Sequence, residues 1–300
     1  MAATTGAIEG TDAASVRHSR RGYWPLVWRR LRRDPISMLS LFVLLAIVFG
    51  AIFAPWITPY DPNHGDILSR LKAPGTPGHI LGTDATGRDL YTRLVWGGRL
   101  SMLSGTLPVI VATLIGGTLG IVAGMSGRIV NTIIMRIVDV LFAFPSILLA
   151  VAISGILGNG LDNTLIALSI VFTPQVVRVA ESATVQISRQ DFVDAARATG
   201  ASQALILRAQ ILPNVLSQIL VFATSLIAVG MVVAAGLNFI GLGIAPPAAE
   251  WGSMLNELRD AIYINPVLSV LPGVLIVATS ICFNLLSDGL RSAMNIREVS

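Results

Sequence analysis

Six stretches of this chain contain no Asp, Glu, Lys or Arg: residues 35–60, 100–127, 140–161, 163–177, 209–249 and 261–287. A charge at mid-bilayer costs at least about 2.5–3.5 kcal/mol, and about 20 apolar residues are needed to cross roughly 30 Å of hydrocarbon as a helix. Windows of this length are what membrane crossing demands. Composition agrees: 53% of residues are hydrophobic and 13% charged, against about 25% charged in a soluble domain. The expected fold is an all-α membrane protein with six transmembrane helices.

Two windows need interpretation. The 163–177 window reaches span length if Arg178 and Glu181, spaced three apart, sit at the interface and pair there. As one straight helix the 209–249 window would run about 60 Å, too long for a single crossing. Gly230, Gly236, Gly241, Gly243 and Pro246-Pro247 fill its second half. It therefore reads as one span from about Pro213, followed by an irregular apolar segment packed against protein.

Charge bias sets the orientation. With six spans and both termini cytoplasmic, fifteen basic residues, among them Arg17, Arg20, Arg21, Arg29, Arg30, Arg32, Arg33 and Arg128, fall inside and six fall outside. Splitting the long window into two spans would reverse the C-terminal half and violate the positive-inside rule. The chain then divides as follows. Residues 1–34 are a basic cytoplasmic tail and 35–57 the first transmembrane helix. Residues 58–99 form an extracytoplasmic loop, rich in turn formers and closing with an interfacial helix over 88–99. Residues 100–289 hold five transmembrane helices and a cytoplasmic loop, 187–213, and 290–300 are a cytoplasmic tail. The run 36–53 is longer than the roughly 7–15 residues of a signal-peptide core and follows a polar tail, so an uncleaved first span is expected.

The cytoplasmic loop, ISRQDFVDAARATGASQALILRAQILPN over 187–214, is the most informative segment. Ser188 and Asp191 fit a capping box opening a helix through Ala195, Ala196 and Ala198. Gly200 is placed to end it in the left-handed conformation. Ser202 suits the cap of a second short helix, and Pro213 restarts the chain at the membrane. The result is a helix–turn–helix with small residues on one face, suited to docking against another protein. Between two spans it is too short to carry a nucleic-acid recognition domain, so no nucleic-acid partner is expected.

These residues resemble the EAA loop of bacterial ABC importers, with Asp194-Ala195-Ala196, Gly200 and Leu212-Pro213 at that family's spacing and Asp194 in place of the usual Glu. Further segments extend the likeness: Asp34-Pro35, APWITPYDP over 54–62, LGTDATGRD over 81–89, RIVDVLFAFP over 136–145, FIGLG over 239–243, Trp251-Gly252 and FNLLSDGLR over 283–291. Together they resemble the dipeptide, oligopeptide and nickel permease family, and within it the C-type subunit. The resemblance implies a type I ABC importer permease (MetI-like) fold in a bacterial plasma membrane, with this chain enclosing half of a pathway and a second homologous permease subunit the other half. It also implies two cytoplasmic ATPase subunits, which bind ATP and Mg and dock on the 187–213 loop, and an extracytoplasmic peptide-binding protein. Peptides are the implied substrate, with nickel or another small solute as the alternative.

Chemistry within the chain is sparse. The only lysine, Lys72, follows Leu71, so no phosphate-binding loop exists. The three histidines, His18, His64 and His79, read as solvated, and the lone cysteine, Cys282, has no internal partner. The chain is expected to be no enzyme and to hold no cofactor or metal, with energy coming from partner subunits. Arg136 with Asp139, and Asp288 with Arg291, are spaced three apart near cytoplasmic helix ends, as structural anchors or parts of an inner gate. A self-contained ion-coupled carrier would need a mid-membrane carboxylate, whereas Asp139, Asp162 and Asp288 all fall near interfaces.

The orientation is testable. Ser300→Cys in intact cells should resist labelling by a membrane-impermeant maleimide; efficient labelling from outside would exclude six spans with cytoplasmic ends.

Overall fold

A computed structural model describes residues 23–294. Arg17, His18, Arg20, Arg21 and Ser300 lie outside the described residues. The described residues open with helix α1 (Tyr23–Leu31), inside the stretch read as a tail, and then α2 (Pro35–Ile52) and the short α3 (Ala54–Ile57). Asp34 and Pro35 start α2: the Asp34 carboxylate accepts from Ile36 N–H at 3.2 Å, and proline at the first turn forfeits no hydrogen bond.

Helix α4 (Leu90–Met125) begins at Asp89, whose carboxylate accepts from the Thr92 N–H at 2.8 Å. Its 36 residues run unbroken, about 54 Å at 1.5 Å per residue. The separate interfacial helix expected over 88–99 does not exist; most of that segment is the first turns of α4. Leu90 and Leu94 are buried with Trp251 and Met254 instead of lying on the membrane surface. The first span likewise ends earlier than read, since α2 stops at Ile52 and α3 turns away from it.

The third window spans a break. Helices α5 (Arg128–Phe142) and α6 (Ser146–Leu157) meet at 86°, with Pro145 at the N-cap of α6. The chain turns a corner at Pro145, because proline lacks the N–H that would continue the ladder. Helix α7 (Leu161–Ser188) follows, then the short helices α8 (Asp191–Ala198) and α9 (Gln203–Ile206). Helix α10 (Leu212–Phe239) ends as the glycines indicated: residues 240–250 are irregular, and the Asn238 side chain accepts from Ile244 N–H at 2.6 Å. Helix α11 (Trp251–Glu257) and the long α12 (Pro266–Met294) complete the chain. Among the described residues five helices are long and apolar enough to cross a membrane, six if the broken pair α5–α6 counts as one span. There are no β-strands among the described residues.

The core lies where α4, α7 and α10 meet, around Val109, Leu168, Phe172, Val176, Ile219 and Leu226. The α4–α7 pairing is the most extensive in the molecule. Gly116, Gly120 and Gly124 sit one turn apart on α4, and a Cβ on Gly120 would come within 2.5 Å of the Val177 carbonyl oxygen and 2.6 Å of Ala180 Cβ. Small residues let the two backbones approach closely, which is how helices associate without a hydrophobic driving force between them in lipid. This glycine ladder is a motif the windows of uncharged residues conceal.

Gly120→Leu should therefore push α4 and α7 apart, costing about 1–3 kcal/mol or more. Thermal unfolding of the purified protein reads this directly, with Gly127→Leu, where an added Cβ meets nothing within 4 Å, as the benign control.

Candidate functional site

The cytoplasmic loop folds as expected in outline, with one correction at its start. Helix α7 continues through Ser188, whose hydroxyl donates back to the Val185 carbonyl at 2.9 Å, so Ser188 caps nothing. Gln190 occupies the N-cap of α8 without a side-chain bond, and Asp191 and Asp194 lie in the first turn, where their charge favours the helix dipole. Arg197 Nη1 donates to Asp194 at 2.8 Å along the exposed side.

Gly200 ends α8 as predicted, at φ +81°. Its N–H donates to the Arg197 carbonyl at 3.0 Å and that of Ala201 to Ala196 at 3.2 Å, the paired bonds of a Schellman motif. No atom lies within 4 Å of where a Cβ would sit on Gly200, so the constraint there is backbone conformation and not space. Ser202 caps α9 by accepting from Leu205 N–H at 3.3 Å. Pro213 does not restart a broken chain: a single π turn, Leu207–Ile211, joins α9 to α10 without interruption.

The hairpin has two faces. Val193, Ile206 and Ile211 are buried in the main core with Ile187 and Val215, and Phe192, Ala196 and Ala201 pack against it. Asp194, Ala195, Arg197, Ala198, Gly200, Leu212 and Pro213 face outward. Thus Asp194, Ala195, Gly200, Leu212 and Pro213 are all exposed, while Ala196 is partly buried.

The ion pairs read from i, i+3 spacing are not formed. Asp139 accepts from Arg178 Nη2 at 2.6 Å, and the Arg178 guanidinium lies 4.4 Å over the Phe142 ring. Arg136 has no ion-pair partner among the described residues, and Asp288 and Arg291 are both exposed and unpaired with each other. Glu181 accepts from Asn131 Nδ2 at 2.8 Å, not from Arg178. In each observed case α5 supplies the partner for α7, because crossing helices bring tips closer than a shared helix face does. The Asp139–Arg178 pair is half exposed and stabilises by at most about 1 kcal/mol.

The strongest electrostatic feature was not legible in the sequence. On the 58–99 loop side, Asp84 accepts from Arg88 Nε at 2.6 Å and from Arg93 Nη1, while Glu257 of α11 accepts from Arg88 Nη2 at 2.7 Å and Arg93 Nη1 at 2.6 Å. Asp84 and Arg93 are almost completely buried. Burial raises the Asp84 carboxyl, but Arg93, the Arg88 N–H and the Arg88 charge outweigh it and hold it below the usual carboxylate range. His79 is no solvated histidine either, since its Nδ1 lies 2.9 Å from the Asp89 carboxylate. Beside this cluster Glu250 is buried, accepting from Ser101 Oγ at 2.8 Å and Ser253 N–H at 2.8 Å, and Trp251 Nε1 donates to the Leu94 carbonyl at 2.8 Å. The loop, α4 and α11 are locked into one cap.

The described residues thus form a bundle of long apolar helices, a packed hairpin over 187–214 and a folded cap built on the 58–99 loop. Residues 116–297 match the family model described as the inner membrane component of binding-protein-dependent transport systems, and residues 22–74 match the N-terminal transmembrane domain of oligopeptide transport permease C. The chain belongs to this family, the non-enzymatic, multi-pass inner membrane permease subunits of ABC importers. It is 40% identical over 278 residues to a glutathione transport system permease protein of Pectobacterium atrosepticum, covering 92% of each chain. It is 42% identical over 273 residues to that of Escherichia coli O6:K15:H31, covering 91% of this chain and 90% of the other. The fold matches the inward-facing MetNI methionine ABC transporter with a TM-score of 0.57 at 21% identity, over 67% of this chain and 96% of that one.

Removing one partner from the buried cluster leaves a charge uncompensated. Asp84→Ala should destabilise the purified protein by about 3–5 kcal/mol in thermal unfolding. The folded Asp84 pKa is depressed, so its contribution is complete above the unfolded value of about 3.9 and is lost as pH falls through the folded value. Stability lost between pH 4 and 3 should therefore be smaller in Asp84→Ala than in the parent.

Proposed function

We propose that this chain forms half of the translocation pathway of a short-peptide importer, coupled to ATP hydrolysis through the exposed face of α8–α9. The observation that carries the proposal is the hairpin: a Schellman-ended helix of small exposed residues whose inner face is continuous with the core. A partner that grips Asp194, Ala195, Gly200, Leu212 and Pro213 grips the bundle. Two cytoplasmic ATPase subunits, which carry the ATP and Mg, would dock there and on the equivalent loop of a second, homologous permease subunit.

Peptide as substrate is supported by the relatives, which are permeases of glutathione systems; glutathione is itself a tripeptide. A binding protein would deliver its peptide to the outer cap, where Ile67, Leu68 and Ile80 of the 58–99 loop stand exposed. The asymmetry of basic residues supports cytoplasmic placement for both termini and for the hairpin.

Gly200→Val tests the coupling. A β-branched residue at φ +81° is strained by about 1–2 kcal/mol or more, which turns α9 away from its present angle. The variant should insert into membranes normally, because the site is outside the spans, yet lose peptide-stimulated ATPase activity and uptake in the reconstituted complex. Asp194→Ala should be milder, on the order of 1 kcal/mol. Full peptide-stimulated turnover by Gly200→Val sinks the coupling assignment.

A further inference from the structure

Helix α1 has two dissimilar sides. Val27 and Leu31, one turn apart, are buried against Ala293, beside Leu286, Leu290 and Met294 at the C-terminal end of α12. Beside that stripe stand Trp24 and Trp28, 53% and 47% exposed, with exposed Arg29, and the linker after α1 adds exposed Arg32 and Arg33. The Arg32 guanidinium lies 5.9 Å over the Trp28 ring. Residues 13–33 carry seven arginines and no Asp or Glu; of the two flanking carboxylates, Asp12 and Asp34, the latter is engaged as the α2 cap.

The position of α1 is set by its neighbours. Only residues 32–34 separate it from α2, whose apolar run begins at Pro35. Three residues reach about 10 Å at most, so α1 is held within the depth of a headgroup layer at the end of two spans, α2 and α12. A helix there that buries its aliphatic stripe against protein and presents tryptophan with arginine outward has the chemistry of an interfacial segment. Indole rings partition to the headgroup level, and guanidinium groups pair with phosphate oxygens.

We propose that the Trp24–Arg33 side of α1 is a binding surface for anionic phospholipid headgroups of the leaflet in which α2 begins. Charge complementarity selects the occupant: guanidinium groups within reach of headgroup phosphates, with indole rings to anchor the helix at that depth. The ATPase subunits are the competing occupant, but the face proposed for them lies on α8 and α9, whereas α1 packs on α12. The inference stands independently of the substrate and of the coupling assignment.

The test uses the full-length chain purified in mixed micelles holding equal amounts of phosphatidylglycerol and phosphatidylcholine, with co-purified lipid quantified by mass spectrometry. The parent should retain phosphatidylglycerol preferentially, and less of it as salt rises. Each basic side chain near an anionic surface is worth about fivefold in affinity, so Arg29→Gln, Arg32→Gln and Arg33→Gln together should weaken retention by up to about 100-fold at low salt. The same three positions changed to Lys should keep the preference, which separates lost charge from lost folding. Unchanged preference in the triple Gln variant overturns the proposal, as does its loss in the Lys variant. Loss of ATPase subunits from the assembled complex with lipid preference intact would assign the surface to a protein partner instead.

Discussion

Hydrocarbon offers no partner to a backbone N–H or carbonyl, and each group left unpaired there costs several kcal/mol. Everything regular in this chain follows from that constraint, and the irregular parts show how it is met. Where α5 and α6 break, the turn is three residues long and α6 restarts at once. Where α10 stops, the apolar segment 240–250 is not surrendered to lipid: the Asn238 side chain takes the place of the next turn, and Glu250 and Trp251 pin its far end to α4. Helices can then approach through glycine, as α4 and α7 do at Gly116, Gly120 and Gly124.

The two ends of the molecule are built by different physics. The hairpin end is held by apolar burial of Val193, Ile206 and Ile211 and by backbone hydrogen bonds around Gly200, leaving small residues outward. The cap end is held by charge. Asp84, Arg88, Arg93 and Glu257 neutralise one another out of water, joining a loop to a helix more than 160 residues later in the chain. Breaking such a cluster is expensive even where forming it contributes little, so it makes the cap's geometry all-or-none.

Much of this architecture is written locally and was legible. Charge-free windows located the spans, and the glycines and Pro246-Pro247 showed where the fifth would fail. Gly200 and Ser202 marked the hairpin through cap chemistry that operates within a few residues. What was illegible is what depends on distant residues. Arg178 chose Asp139 over Glu181, and Arg88 and Arg93 chose Glu257, because helix crossings decide which charged tips meet. Leu90 and Leu94 looked like the face of a surface helix because nothing nearby in sequence announced Trp251, which buries them. The corner at Pro145 was illegible too, because a single proline is compatible with both a kink and a break.

The join at Leu207–Ile211 has a mechanical consequence. Because the π turn bridges α9 and α10, residues Gln203–Phe239 form one continuous rod of 37 residues, about 55 Å long. It packs along its whole length, from Ile206 and Ile211 at the hairpin end to Ala234 and Leu237 at the other, where the segment tied to the cap follows. A rod gripped along its length moves as one body. A tilt of about 6° about the midpoint displaces each tip by about 3 Å, and in opposite directions. The hairpin and the segment tied to the cap are thereby joined by one helix, with no separate messenger needed between them.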